Sequence, residues 1–79
     1  MEEKILEIAK FAQFNAEAEA KAIFDYTGMI KFVAESDIDE ETKEKVVATI
    51  SEIIADELNH QTKLHELYTS LVGIEQNKD

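Results

Sequence analysis

Glu19, Glu57 and His60 are the residues of this chain whose types and spacing can do chemistry. Glu57-Leu58-Asn59-His60 is a Glu-x-x-His element. Residues three apart share a face of a helix, so both side chains can reach one cation. Glu19 is remote in sequence, yet it precedes the turn near Ile38 by as many residues as Glu57 follows it. If the chain folds back there, a rise of about 1.5 Å per residue brings all three to one level, within about a turn. Two carboxylates and an imidazole are the ligand types of a carboxylate-bridged centre for divalent transition metals, without dictating which metal.

These groups stand where a helical hairpin should be apolar. In the second half the seam reads Val46, Ile50, Ile53, Glu57, His60, Leu64, Leu67, Leu71, with steps alternating between three and four residues. In the first half it reads Ile5, Ile8, Ala12, Asn15, Glu19, Ala22, Tyr26, Ile30, Val33. Burying an unpaired carboxylate costs several kcal/mol, roughly, so such groups are paired, protonated or metal-bound.

The elements that must position them follow from composition. Zero Pro and only Gly28 and Gly73 leave little punctuation, and helical apolar spacing over about 2–35 predicts a first helix. The one convincing break is 36–39, Ser-Asp-Ile-Asp. Asp37 with Glu40 three residues on fits a capping pattern, and Asp39 is an equally good N-cap. A second helix is expected over about 40–72, ending at Gly73, with 74–79 as a frayed tail. The fold class is therefore all-α, a single antiparallel two-helix hairpin domain spanning 1–79. Phe11, Phe14, Phe24 and Phe32 on the first helix, with Val47, Ile54 and Tyr68 on the second, exceed what two helices can cover. Two hairpins pairing into a four-helix bundle is the economical solution.

The 79 residues hold one small domain, and no Cys means neither disulfides nor thiolate metal ligands. A net charge of −10 with no Arg argues against nucleic acid as a partner. The acidic start, Met-Glu-Glu-Lys, lacks the layout of a secretory signal, and no apolar run approaches membrane-spanning length. A cytoplasmic location and no membrane partner are the expectations. No Ser-His-Asp arrangement or phosphate loop is present.

One chain carries half of the ligand set used by di-iron carboxylate bundles, in which two helices give a Glu each and two give Glu-x-x-His. Two copies related by a twofold axis would supply Glu19, Glu57 and His60 twice. Four carboxylates and two neutral imidazoles then balance two divalent cations. Glu19 before Phe24-Asp25-Tyr26, followed by Asp56-Glu57-Leu58-Asn59-His60, resembles the ferritin-like superfamily, most closely the short two-helix encapsulated ferritins. The resemblance spans roughly 15–71. It implies a hairpin that completes a ferritin-like four-helix bundle across a homodimer interface, with two iron ions per dimer and ferroxidase activity. It assigns Glu19 as the first-helix iron ligand, Glu57 as the bridging carboxylate, His60 as the terminal imidazole and Tyr26 as the aromatic near the centre. The sequence departs from that pattern at Lys21, where the family has a Glu of an outer metal site, and at Asp25, where a Trp is common. An encapsulin shell is a further partner the resemblance implies, although 73–79 carries no recognisable targeting sequence. Rubrerythrin, the other relative to weigh, needs cysteines for its rubredoxin module.

Beside the ligands, Asn15 lies one turn before Glu19 and Asp56 one turn before His60. Either side chain could support a ligand through an outer hydrogen bond. A core role with a satisfied hydroxyl is the plainer reading of Tyr26. His65, five residues beyond His60, is off that face and reads as a surface histidine. The alternative to a metal centre is a non-enzymatic assembly module, in which Glu19, Glu57 and His60 form a polar layer that fixes helix register.

Overall fold

The computed structural model of the chain describes residues 2–76. Two helices account for nearly all of it: α1 (Glu2–Ala34) and α2 (Glu40–Gln76), packed antiparallel into a hairpin of 62 × 14 × 13 Å. No strand occurs among the described residues. Among the described residues, no helix is long and apolar enough to cross a membrane.

The reversal is built from hydrogen bonds that satisfy helix ends. Helix α1 leaves its last carbonyls without partners inside the helix, and the residues of the turn supply them. The Ser36 hydroxyl donates to the Val33 carbonyl at 2.7 Å, and Lys43 Nζ reaches back across the turn to the Ala34 carbonyl at 3.2 Å. A cation at a helix C-terminus also complements the dipole there. At the start of α2 the two candidate caps are resolved in favour of Asp39. Its carboxylate accepts the Thr42 backbone N–H at 2.9 Å and the Thr42 hydroxyl at 2.8 Å. Glu40 and Glu41 then occupy the first turn, where negative charge is stabilising.

Two expectations are corrected here. Gly73 does not end α2; the helix runs through it to Gln76. No glycine adopts positive φ among the described residues, so the left-handed conformation that closes a glycine-capped helix is not formed. Of the expected tail, 74–76 is helical and 77–79 lies outside the described residues. Gly28 sits mid-helix with open space around it, and no neighbouring backbone approaches it.

The second correction concerns which stripe of each helix faces the other. The packed stripe of α1 is Ile5, Ala9, Ala12, Ala16, Glu19, Ile23, Tyr26, Ile30, Val33. That of α2 is Val47, Ile50, Ile54, Glu57, Gln61, Leu64, Tyr68, Leu71. The expected seam members Ile8, Asn15, His60 and Leu67 are exposed, and Ala22, Val46 and Ile53 are half-buried. Each helix carries two adjacent heptads with apolar members, and on α1 the stripe richer in small residues turns inward. Ala9 and Ala12 are buried, as are Val33 and Ile50, and these form the core among the described residues. The size of the two alanines lets the helix axes approach closely, and dense packing rewards that approach.

The displaced heptad is left on one side. On α1 it comprises Ile8, Asn15, Ala22 and Met29; on α2 it comprises Val46, Ile53, His60, Leu67 and Ile74. In an antiparallel pair these two rows flank the same side of the hairpin. Phe11 and Phe32, 68% and 75% exposed, extend that side outward. The face is long and apolar, and it is open.

Candidate metal centre

Glu19 and Glu57 project from facing turns at mid-length of α1 and α2, both half-buried in the packed stripe. His60, one turn after Glu57, stands just outside it on the open apolar face. The fold-back thus does what the matched residue counts require. One ligand atom from each of Glu19, Glu57 and His60 lies within 4.8 Å of the others. No other group of three His, Asp or Glu side chains is placed this way among the described residues.

The finer geometry is compatible with a shared cation. His60 Nδ1 faces Glu19 Oε1 at 3.7 Å, with the imidazole 54% and the carboxylate 23% exposed. That separation exceeds hydrogen-bond range. Two ligands each about 2.1 Å from one metal ion are about 3.0 Å apart at a right angle and about 4.2 Å apart when opposite. The observed spacing falls between these limits. The other oxygen, Glu19 Oε2, is buried and has no hydrogen-bond partner among the described residues. A buried carboxylate oxygen left unsatisfied costs free energy, and coordination of a cation removes that cost. The donor types therefore suit a divalent cation, which Glu19, Glu57 and His60 could hold between them.

The residues expected to support the ligands are placed less closely. Asn15 is exposed, and its side-chain amide donates to the Phe11 carbonyl of its own helix at 2.8 Å. Asp56 is exposed on the same side as His60. Tyr26 is half-buried in the packed stripe, two turns from Glu19 towards the hairpin turn. His65 is exposed and, at five residues from His60, about 140° round the helix. Lys21 and Asp25, the two departures from the ferritin-like pattern, pair with each other at 3.3 Å on the outer surface of α1. Gln61 was not anticipated. It is half-buried one turn beyond Glu57, and the heptad Val47, Ile54, Gln61, Tyr68 was the signal that could have found it.

No protein-family model matches the sequence, and no curated protein or solved structure matches the chain.

Proposed function

We propose that two copies of this hairpin pack through their open apolar faces into a ferritin-like four-helix bundle, and that the bundle binds iron and oxidises Fe(II). Each copy contributes Glu19, Glu57 and His60 to a centre for two ions. The observation that carries the reading is the position of the triad. It lies on the edge of the exposed apolar face and at mid-length of both helices. A twofold axis that brings two such triads together therefore also overlays the two hairpins along their whole length.

The area of the chain supports pairing independently. It exposes 6187 Å² at a mass of 9.0 kDa, whereas a compact monomer of that mass exposes about 4900 Å². The excess, about 1300 Å² per chain, is surface of an elongated hairpin that a second copy could cover. In such a pair His60 and Leu67 on α2, with Ile8 and Met29 on α1, become interior.

In this reading Fe(II) is the substrate and O₂ or a peroxide the oxidant. Glu19, Glu57 and His60 would hold the ions, and the bound pair would supply the electrons for reduction of the oxidant. Two Fe(II) ions would give up one electron each, and that pair with two protons reduces O₂ to hydrogen peroxide, or hydrogen peroxide to two waters. A layer that only fixed register would satisfy its own hydrogen bonds, and the orphaned Glu19 Oε2 does not fit that description.

The test joins mass and stoichiometry. Sedimentation at low micromolar concentration is expected to give a dimer or a multiple of it. Anaerobic Fe(II) titration is expected to show tight uptake of one ion per chain. A stable, fully helical monomer, or the absence of tight uptake, would overturn the reading.

A further inference from the structure

The outer ridge of α1 points away from α2 and from the open apolar face, and it carries Phe14 and Phe24, 68% and 78% exposed. Steps of three and four residues follow one line along a helix. Here that line reads Glu7, Lys10, Phe14, Glu17, Lys21, Phe24, then Gly28 and Lys31, all of them exposed. Three lysines against two glutamates make the ridge locally cationic in a chain of net charge −10. Two copies can therefore meet here without the repulsion that their acidic surfaces impose elsewhere.

The order of the ridge is complementary to its own reverse. With a second α1 laid antiparallel about a twofold axis at the level of Glu19, Phe14 opposes Phe24 of the second copy. In the same register Glu17 opposes Lys21 and Glu7 opposes Lys31, and the symmetry makes every pair occur twice. Lys10 falls opposite Gly28, where no atom lies within 4 Å of the Cβ position, which leaves room for the lysine's methylene stem. Glu7, Lys10, Phe11 and Phe14 border an open hollow of about 610 Å³, and the turn of the second copy bearing Phe24 and Gly28 covers it. Ala18 and Ala20 flank the axis on either side, and their size permits close approach of the two helices. Lys21 meets Asp25 of its own helix at 3.3 Å, and an ammonium with three donors can take a second carboxylate. A parallel partner in register would instead set Glu17 on Glu17 and Lys21 on Lys21, which charge opposes.

We propose that this ridge is a second self-interface, occupied by α1 of another copy of the chain in antiparallel register. Exposed ion pairs contribute little each, so they set the register while the phenylalanine pairs supply the contact. The ridge lies off the open apolar face, so both contacts can form at once and join pairs into a larger assembly. It depends neither on a metal at Glu19 nor on pairing through the apolar face.

The test is sedimentation equilibrium of the full chain at low salt, on wild type, Glu17→Lys and Lys21→Glu. Each substitution sets like charges against each other at two places beside the axis. The association step made by the ridge should weaken by at least about tenfold in either variant alone. An equimolar mixture of the two variants should regain it, because the altered chains then oppose unlike charges at both levels. The like charges that each substitution creates within its own helix persist in the mixture, so recovery there reports contact between chains. Both positions are exposed, and helical circular dichroism at the same concentrations should be unchanged. Leu67→Lys reads the apolar face separately, so failure of that pairing and failure of this ridge are distinguishable. Association that ignores both substitutions, as it would if another protein or nothing covered the ridge, would overturn the proposal. So would a mixture that associates no better than its components.

Discussion

His60 Nδ1 and Glu19 Oε1 face each other at 3.7 Å from opposite helices, near the middle of a hairpin 62 Å long. They are too far apart for a hydrogen bond and well spaced for a shared cation. Glu57, one turn from His60 on the same helix, completes the group. Filling this site would tie α1 to α2 at one level, and local fold and metal affinity would then be linked. In the proposed pair the same ligands also join the two copies.

The two histidines should behave differently towards iron. His60→Ala is expected to remove most tight Fe(II) uptake, since one of three ligands per chain is lost. His65→Ala should leave it nearly unchanged, because that ring projects from the opposite face. Anaerobic Fe(II) titration of both variants checks this, and equal losses would mean that the wrong face has been chosen.

The open apolar face makes a separate prediction. Leu67 is 44% exposed in the single hairpin and belongs to the same heptad as His60. Leu67→Lys removes from each copy of a pair somewhat under half of the about 1.5–3 kcal/mol that full burial of a leucine contributes, so self-association should weaken by at least about tenfold. Helical circular dichroism at high concentration should change little. Glu52→Lys, on the exposed outer face of α2, should leave association intact. Sedimentation equilibrium of the two variants decides, and equal association constants would refute the assigned face.

Much of this is legible in the sequence for identifiable reasons. Without Pro, and with polar residues concentrated at 36–39, the chain has one place to turn, and the observed helices follow. The triad is legible because ionisable side chains at seam spacing stand out, and because counting from the turn aligns them. What is not legible is which of two neighbouring heptads faces inward. Hydropathy favours the row of Ile8 and Leu67, whereas close packing favours the row of Ala9 and Ala16, and packing prevails. Gln61 escapes notice for a related reason, as an amide on a seam carries no chemical signature of its own. Gly73 misleads because glycine permits a helix stop without requiring one.

The start of α2 should respond to pH. The backbone N–H of Thr42, and then its hydroxyl, hold the Asp39 carboxyl below the ordinary aspartate value. A carboxyl whose pKa is lowered on folding contributes stability that is complete above the unfolded value, near 4, and lost as pH falls through the folded one. Protection of the Thr42 amide from hydrogen exchange should therefore decline below about pH 4. Asp39→Asn keeps an acceptor for that amide but cannot titrate, so its protection should be flatter over the same range. Superimposable pH profiles would show that the Asp39 charge plays no part in the cap.

Melting curves separate a metal centre from a polar register layer. In the proposed pair, Glu19 and Glu57 from both chains place four carboxylates in one narrow interior. Without cations, their mutual repulsion and desolvation oppose assembly. A cation that binds the folded pair and not the unfolded chain raises the melting temperature by mass action, with about 2.7 kcal/mol gained at a hundredfold excess over Kd. Fe(II), Mn(II) or Zn(II) should therefore raise the wild-type midpoint relative to chelator. Glu19→Ala should abolish most of that increment. It should also leave the metal-free protein as stable as wild type or more so, because it deletes the carboxylate whose Oε2 is buried without a partner. A register layer predicts the opposite pattern, with no response to any metal and destabilisation by Glu19→Ala in chelator. Wild-type curves that superimpose in chelator and in every metal would remove the metal centre from this protein.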